Sequence, residues 1–274
     1  MMAETNLRKP VVAGQFYPLD AKSLRGMISV FADKEAQKKD VIGAILPHAG
    51  YIYSGKVAAQ AVSGINIKDN LVLLGPNHTG SGPNFSIMPQ GTWQTPLGDV
   101  EINGSMANLF LNKSGCLEAD ILAHQDEHSL EVELPILQYF KSSFKIVPIA
   151  IKSFDLGLLK ELAKELADAI NENDLKKSTV FIASSDMTHY EPQKVAEIKD
   201  ALAIEAIVAL DEDKLARVVR DSDISMCGVA PVTVLIKAAK LLGAKGARLI
   251  KYQTSADASG DASSVVGYAG ITIY

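Results

Sequence analysis

Cysteine is scarce: the 274 residues hold only Cys116 and Cys227, and no CxxC pair. This excludes a disulfide scaffold and suits a reducing, cytoplasmic compartment. Long apolar runs are absent too. Hydrophobic stretches are short and broken by charges, so no membrane span is expected. The opening MMAETNLRKPVVAGQFYP has no apolar segment of signal-peptide length, so no secretion signal is expected. There is no block of Lys or Arg: 27 basic and 32 acidic residues are interspersed, for a net charge of −5. That balance argues against a nucleic-acid partner. Repeats, low-complexity tracts and long linkers are missing as well, so a single domain over residues 1–274 is expected. No nucleotide cofactor is expected.

Hydrophobic residues are plentiful, 47% of the chain, enough for a sizeable core. Short β-branched runs alternate with helical periodicity. VIGAIL (41–46), NLVLLGP (70–76), FKIVPIAI (144–151), STVFIASSD (178–186), ARLIKYQTS (247–255) and SVVGYAGITIY (264–274) read as strands. Residues 55–64, 105–115, 155–173, 193–210, 213–220 and 228–242 read as helices, the 155–173 stretch having the clearest apolar spacing. Residues 83–103, rich in Pro, Gly and β formers, read as a hairpin insertion. The alternation predicts a layered α/β domain with a central, mostly parallel or mixed sheet flanked by helices.

Five histidines are present: His48, His78, His124, His128 and His189. Three of them, His48 (GAILPH), His78 (LVLLGPNH) and His189 (VFIASSDMTH), follow separate predicted strands. In open α/β sheets the carboxyl ends of the strands form the ligand crevice. One histidine at a strand end is usually just exposed or satisfied; three at equivalent ends point to a shared site. Imidazoles from several strands suit a divalent transition metal, with Asp186, Glu131 and Cys227 as candidates for a third ligand. Cys227 (SMCGVAP) stands at a predicted helix start, where the dipole favours thiolate. The bland alternative is a small buried hydrophobe, which is how Cys116 reads.

The segment AHQDEHSLEVELP (123–135) contains H-x-x-E-H over His124–His128, the inverted zincin pattern. That pattern needs one helix to bring both histidines together. With Pro135 close by and no amphipathic helix over 116–128, a loop that becomes helical near Ser129 is the better expectation. His128 and Glu131 are then expected to face the cleft, while His124 orders the loop.

Several blocks together resemble the Memo family: VAGQFYP (12–18), PHAGYIYSG (47–55), LLGPNHTG (73–80), DEHSLEVELPIL (126–137), SSDMTHY (184–190) and DASSVVGYAGI (261–271). They run in order from about residue 10 to the C-terminus. The resemblance implies a fold like the class III extradiol, LigB-like dioxygenases, in which two histidines and a glutamate hold Fe(II). By position it makes His48 and His78 metal histidines, and His189 the acid/base histidine with Asp186 beside it. Cys227 then stands where the dioxygenases keep a carboxylate. A thiolate is softer and shifts selectivity toward copper, zinc or a differently tuned iron, which puts catechol ring cleavage in doubt. Tyr51, Asn77, His128 and Glu131 are expected to line the substrate pocket.

The resemblance further implies either a metal-dependent redox protein or an adaptor that binds a small molecule or phosphopeptide in the ancestral pocket. Prokaryotic relatives accompany radical SAM and AMMECR-type proteins, which would then be partners. A third reading is a cysteine hydrolase built on Cys227, His189 and Asp186.

Overall fold

The runs GAIL, NLVLLGP, KIVPIAI and TVFIAS are buried along nearly their whole length. Strands with both faces covered need no polar alternation, and these four form the middle of one large sheet. The computed structural model describes residues 7–274.

The chain begins β1 (Leu7–Arg8), α1 (Ala21–Phe31), β2 (Gly43–Leu46), α2 (Tyr51–Ser63), β3 (Asn70–Pro76), β4 (Phe85–Ile87), β5 (Thr92–Thr95) and β6 (Gly98–Glu101). It continues through α3 (Gly104–Lys113), β7 (Glu118–Ala119), α4 (Leu122–Gln125), α5 (Glu133–Phe140), β8 (Lys145–Ile151), α6 (Leu156–Glu172) and β9 (Thr179–Ser184). It closes with β10 (His189–Glu191), α7 (Gln193–Val208), α8 (Glu212–Asp221), α9 (Val229–Leu241), β11 (Ala247–Thr254), α10 (Ala256–Ser259) and β12 (Val265–Ile273).

The large sheet has the order β10-β12-β2-β9-β3-β8-β4-β7, with β11 also pairing to β12. Strands β2, β9, β3 and β8 are mutually parallel, while β12 and β4 join them antiparallel. The sheet is therefore mixed: a parallel centre with antiparallel margins. One face is covered by α6 and α9, the other by α1, α2 and α5. Helix α6 shows why such a segment becomes a covering helix. Leu159, Leu162, Ala163, Leu166, Ala167 and Ile170 lie on its buried side. At its start Asp155 accepts a hydrogen bond from the Leu158 amide at 3.0 Å.

The expected hairpin is β5–β6, paired from Thr92↔Glu101 to Thr95↔Gly98. Strand β1 adds to it in parallel as a three-stranded sheet. One boundary differs from the sequence reading by several residues. Helix α2 begins at Tyr51 rather than 55. The Tyr51 amide is taken by the Phe16 carbonyl at 2.7 Å, so the first turn is anchored where the sequence shows only glycines and tyrosines. Among the described residues, no helix is long and apolar enough to cross a membrane.

Candidate metal centre

Strands β2, β9 and β3 are neighbours and parallel, so their carboxyl ends open side by side. His48 lies two residues beyond β2, Asp186 two beyond β9 and His78 two beyond β3. The His48 amide donates to Asp186 Oδ1 at 2.9 Å, which ties the first two exits together. The fourth contributor arrives from the start of α9. A methyl group placed on Gly228 would collide with the Ser184 carbonyl and the Ser185 side chain. Only glycine lets α9 come this close to β9, and that approach sets Cys227 Sγ 3.4 Å from His48 Nε2. Gly228→Ala is expected to destabilise the fold by about 1–3 kcal/mol, the usual cost of overpacking. Chemical denaturation measures it; an unchanged midpoint would show that the contact yields freely.

Donor atoms of His48, His78 and Cys227 all lie within 4.8 Å of one another. Each imidazole is steered through its other nitrogen. His48 Nδ1 is 2.8 Å from Ser184 Oγ. His78 Nδ1 is 2.9 Å from Glu127 Oε1, and its amide donates to Glu127 Oε2 at 2.5 Å. His128 completes a ring of three imidazoles: it stacks on His78 at 4.9 Å and meets His48 edge-on at 5.6 Å.

The electrostatics separate the two nominal donor groups. Burial first, and then the neighbouring His78 and His128 imidazoles, push His48 well below the usual imidazole range, so it stays neutral. Burial pulls His78 down, but its hydrogen bond to Glu127 and the charges of Glu127 and Asp186 together carry it above the usual imidazole range. Glu127 falls to about 2: burial opposes the shift, but the hydrogen bonds and charge of His78 and the amide of Ser129 prevail. A second cluster, His78, Glu127 and His128, also has its ligand atoms within 4.8 Å. There, however, both Glu127 oxygens already accept hydrogen bonds, from His78 and from the Ser129 amide at 2.9 Å. Glu127 therefore orients the His78 imidazole, the arrangement that carboxylates take behind histidine ligands. In the His48, His78, Cys227 group the contacts are longer and involve sulfur: Cys227 Sγ lies 3.4 Å from His48 Nε2 and accepts from the Asp186 amide at 3.3 Å, so this group is the better fit for an ion.

Cys227 departs from expectation in one respect. Its thiol is pushed up, first by burial and then by Asp186, rather than primed as thiolate by the helix. The amide at the helix start, Gly228 N, is used by Ser185 Oγ at 3.1 Å and does not serve the sulfur. A bound cation would supply the missing positive charge, since a coordinating thiol loses its proton.

The other sequence candidates divide. His189 sits at the rim as the first residue of β10, with Nδ1 2.9 Å from the Ser225 carbonyl. Its charge is felt by Asp186, which burial nonetheless raises to about 6. Tyr51 does not line the pocket: it is buried, and its hydroxyl donates to the Val132 carbonyl at 2.7 Å. Asn77 builds the loop after β3, its Oδ1 accepting from Thr79 Oγ1 and the Gly80 amide and its Nδ2 donating to the Ser81 carbonyl. Glu131 is also turned away from the cleft. It accepts from Arg8 Nη1 at 2.7 Å, Tyr17 Oη at 2.6 Å and the amides of Val11 and Val12. Arg8 at the same time donates to the carbonyls of His124 and Glu127 and lies over the Trp93 ring. It thus clamps the segment that carries Glu127 and His128.

Sequence reading missed Glu127, Ser184 and Glu133. For Glu127 a signal existed, an acid beside His128 in DEH; Ser184 and Glu133 carry none. The zincin arrangement is not formed. Helix α4 ends at Gln125, and His124 is buried beside Trp93 with Nε2 3.2 Å from the Ser86 carbonyl.

His124 carries a pH prediction of its own. Burial lowers it to about 4, and nearby Arg8 adds to this against Ser86, Asp120 and Glu127. The unfolded chain binds this proton below about 6.5 and the folded chain only below about 4, so stability drops as pH falls through that window. The drop attributable to His124 is about 3 kcal/mol. Unfolding free energies of wild type and His124→Gln across pH 4–7 should converge toward acid by that amount; parallel curves would refute it.

Comparison with known proteins places this geometry in context. The model of the Memo-like protein family matches residues 8–272. A MEMO1 family protein of Methanopyrus kandleri is 44% identical, over 96% of this chain and 98% of its own length. One from Methanococcoides burtonii is 45% identical, over 97% and 100% respectively. Among solved structures, an uncharacterized protein from Escherichia coli K12 shares the fold with a TM-score of 0.52 at 12% identity, covering 85% of this chain and 99% of that one. A family match across nearly the whole length, with relatives at this identity, shows that the chain belongs to the Memo-like family.

Proposed function

We propose that this protein is a metal-dependent redox protein that holds a transition-metal ion on His48, His78 and Cys227 and acts on a small molecule. One observation carries the reading: three donor atoms from separate parts of the chain converge within 4.8 Å. Two imidazoles and a sulfur suit iron, copper or zinc, with iron or copper giving redox capacity. Such an ion would supply Lewis acidity at the mouth of the strands and, if iron or copper, one-electron chemistry.

The chain's own groups supply the rest. Glu127 fixes the orientation of His78 and raises its basicity. His189 is proposed to move protons at Nε2, because its Nδ1 faces a carbonyl and must carry hydrogen there. Asp186, held near neutrality by burial, is proposed to share that proton traffic. His128 stays neutral through burial and the His78 charge, so it is free to accept a proton from a bound ligand. Radical SAM and AMMECR-type proteins are proposed partners. A reducing cytoplasm is the proposed setting, supported by two free thiols.

Oxygen consumption by protein loaded with Fe(II) or copper, compared with Cys227→Ser, tests the redox reading. Consumption that depends on the ion and falls in the variant supports it. Tight metal binding with no turnover above free ion would leave the ligand-binding adaptor as the better account.

A further inference from the structure

The two imidazoles of the centre are supported in different ways. Behind His78 stands Glu127, an anion. Behind His48 stands Ser184, and behind Ser184 stands Glu133. Ser184 Oγ lies 2.8 Å from each of three atoms: His48 Nδ1, the Ser129 carbonyl oxygen and Glu133 Oε1.

A hydroxyl has one hydrogen and two lone pairs. The Ser129 carbonyl can only accept, so it takes the serine hydrogen. The remaining two neighbours must then both donate to the serine oxygen. A carboxylate cannot do so; a carboxylic acid can. If Glu133 were ionised, two acceptors would compete for one hydrogen and one close oxygen–oxygen contact would lack a proton. The rest of the side chain agrees. Glu133 is fully buried and its Oε2 has no hydrogen-bond partner. An ionised carboxylate with a bare buried oxygen is costly, whereas the acid loses far less. Burial accordingly drives Glu133 well above the usual carboxylate range, with Asp186 adding to the shift and Ser184 opposing it. Glu133 is the first residue of α5, where the helix dipole favours an anion, but its side chain turns inward to Ser184.

We propose that Glu133 is a positioning residue: as a neutral carboxylic acid it donates to Ser184 Oγ, directs the serine hydrogen to Ser129, and so holds His48 with its proton on Nδ1 and the Nε2 lone pair facing Cys227. This rests on the metal reading only for its purpose, the presentation of a bare Nε2 to an ion. Of the two side chains behind the imidazoles, one is anionic and one neutral. No proton moves in this arrangement; it is a fixed set of donors.

Three measurements test it, and the first two use the metal-free protein. Infrared spectra at neutral pH should show a carboxylic-acid carbonyl band that shifts on carboxyl-13C labelling of glutamate and disappears in Glu133→Gln. Asp186 and Asp200, which burial also raises, are silent to that label. Nitrogen-15 NMR of labelled histidine should show His48 with hydrogen on Nδ1 in wild type and in Glu133→Gln, whose amide can donate in the acid's place. The third measurement is metal affinity. Glu133→Gln should bind within about threefold of wild type, whereas Glu127→Gln should lose about 10–100-fold, the usual cost of an outer partner.

Absence of a glutamic-acid band, or a His48 proton on Nε2, overturns the proposal even if Glu133→Gln fails to fold, because both are read on the wild type. A large affinity loss in a folded Glu133→Gln overturns it as well. Wild type that binds no metal, with both spectra as expected, would sink the metal reading and leave this one standing.

Discussion

His48→Ala and Cys227→Ala should each lower metal affinity by more than about 100-fold, beyond the 10–100-fold that losing an outer partner such as Glu127 costs. The reason lies in how the donors are held. His48 Nε2 and Cys227 Sγ are 3.4 Å apart before any ion is present. His48 is fixed through its amide by Asp186 and through Nδ1 by Ser184. A preorganised pair of this kind gives up little freedom on binding, so removing either atom forfeits a bond to a donor already in place. Chelator-competition titration with Fe(II), Cu(I) and Zn(II) reads the effect. Variants that keep wild-type affinity for all three would mean that any ion sits elsewhere. Cys227→Ser is the informative intermediate. An oxygen in place of sulfur should cost Cu(I) affinity most, because thiolate is the softer ligand.

Glu131→Gln should destabilise the protein by about 3–5 kcal/mol, the range for breaking a buried ion pair by removing one partner. Glu131 is fully buried, and Arg8 opposite it is only 7% exposed, so solvent cannot take over the guanidinium. The neutral amide also presents N–H groups to an already donor-rich site made of Arg8, Tyr17 and the amides of Val11 and Val12. The damage should spread to the centre indirectly. Arg8 also holds the carbonyls of His124 and Glu127, so the loop bearing Glu127 and His128 loosens with it. Denaturant unfolding measures the loss. A pocket-lining Glu131 would give the opposite pattern, with an unchanged unfolding midpoint and impaired ligand binding. Arg8→Lys should resemble Glu131→Gln, since an ammonium cannot fork across three acceptors.

Much of this was legible in the sequence, for reasons that can be named. Strands buried on both faces read as continuous apolar runs, and NLVLLGP forms β3 with the expected bounds. The long helix over 155–173 announces itself by its spacing and is observed at Leu156–Glu172. Histidines just past strand ends are visible because strand, turn and histidine are consecutive; that is why His48 and His78 could be named. What was illegible depends on long-range approach. Glu131 stands in the same DEHSLEVE run as His128, and only the position of Arg8, far away in the chain, shows that it faces the other way. Tyr51 was misjudged because the helix start depends on an amide bond to Phe16. Ser184 and Glu133 meet across 51 residues with no motif to join them. The raised thiol of Cys227 depends on burial and on Asp186, which reaches it from the end of a strand 41 residues earlier.

The most direct test is anomalous scattering from a crystal soaked in Fe(II), Cu(I) or Zn(II). A single ordered peak within bonding distance of His48 Nε2, His78 and Cys227 Sγ is the predicted result. A peak on Glu127 and His128 instead, or no peak at any strand end, would contradict it.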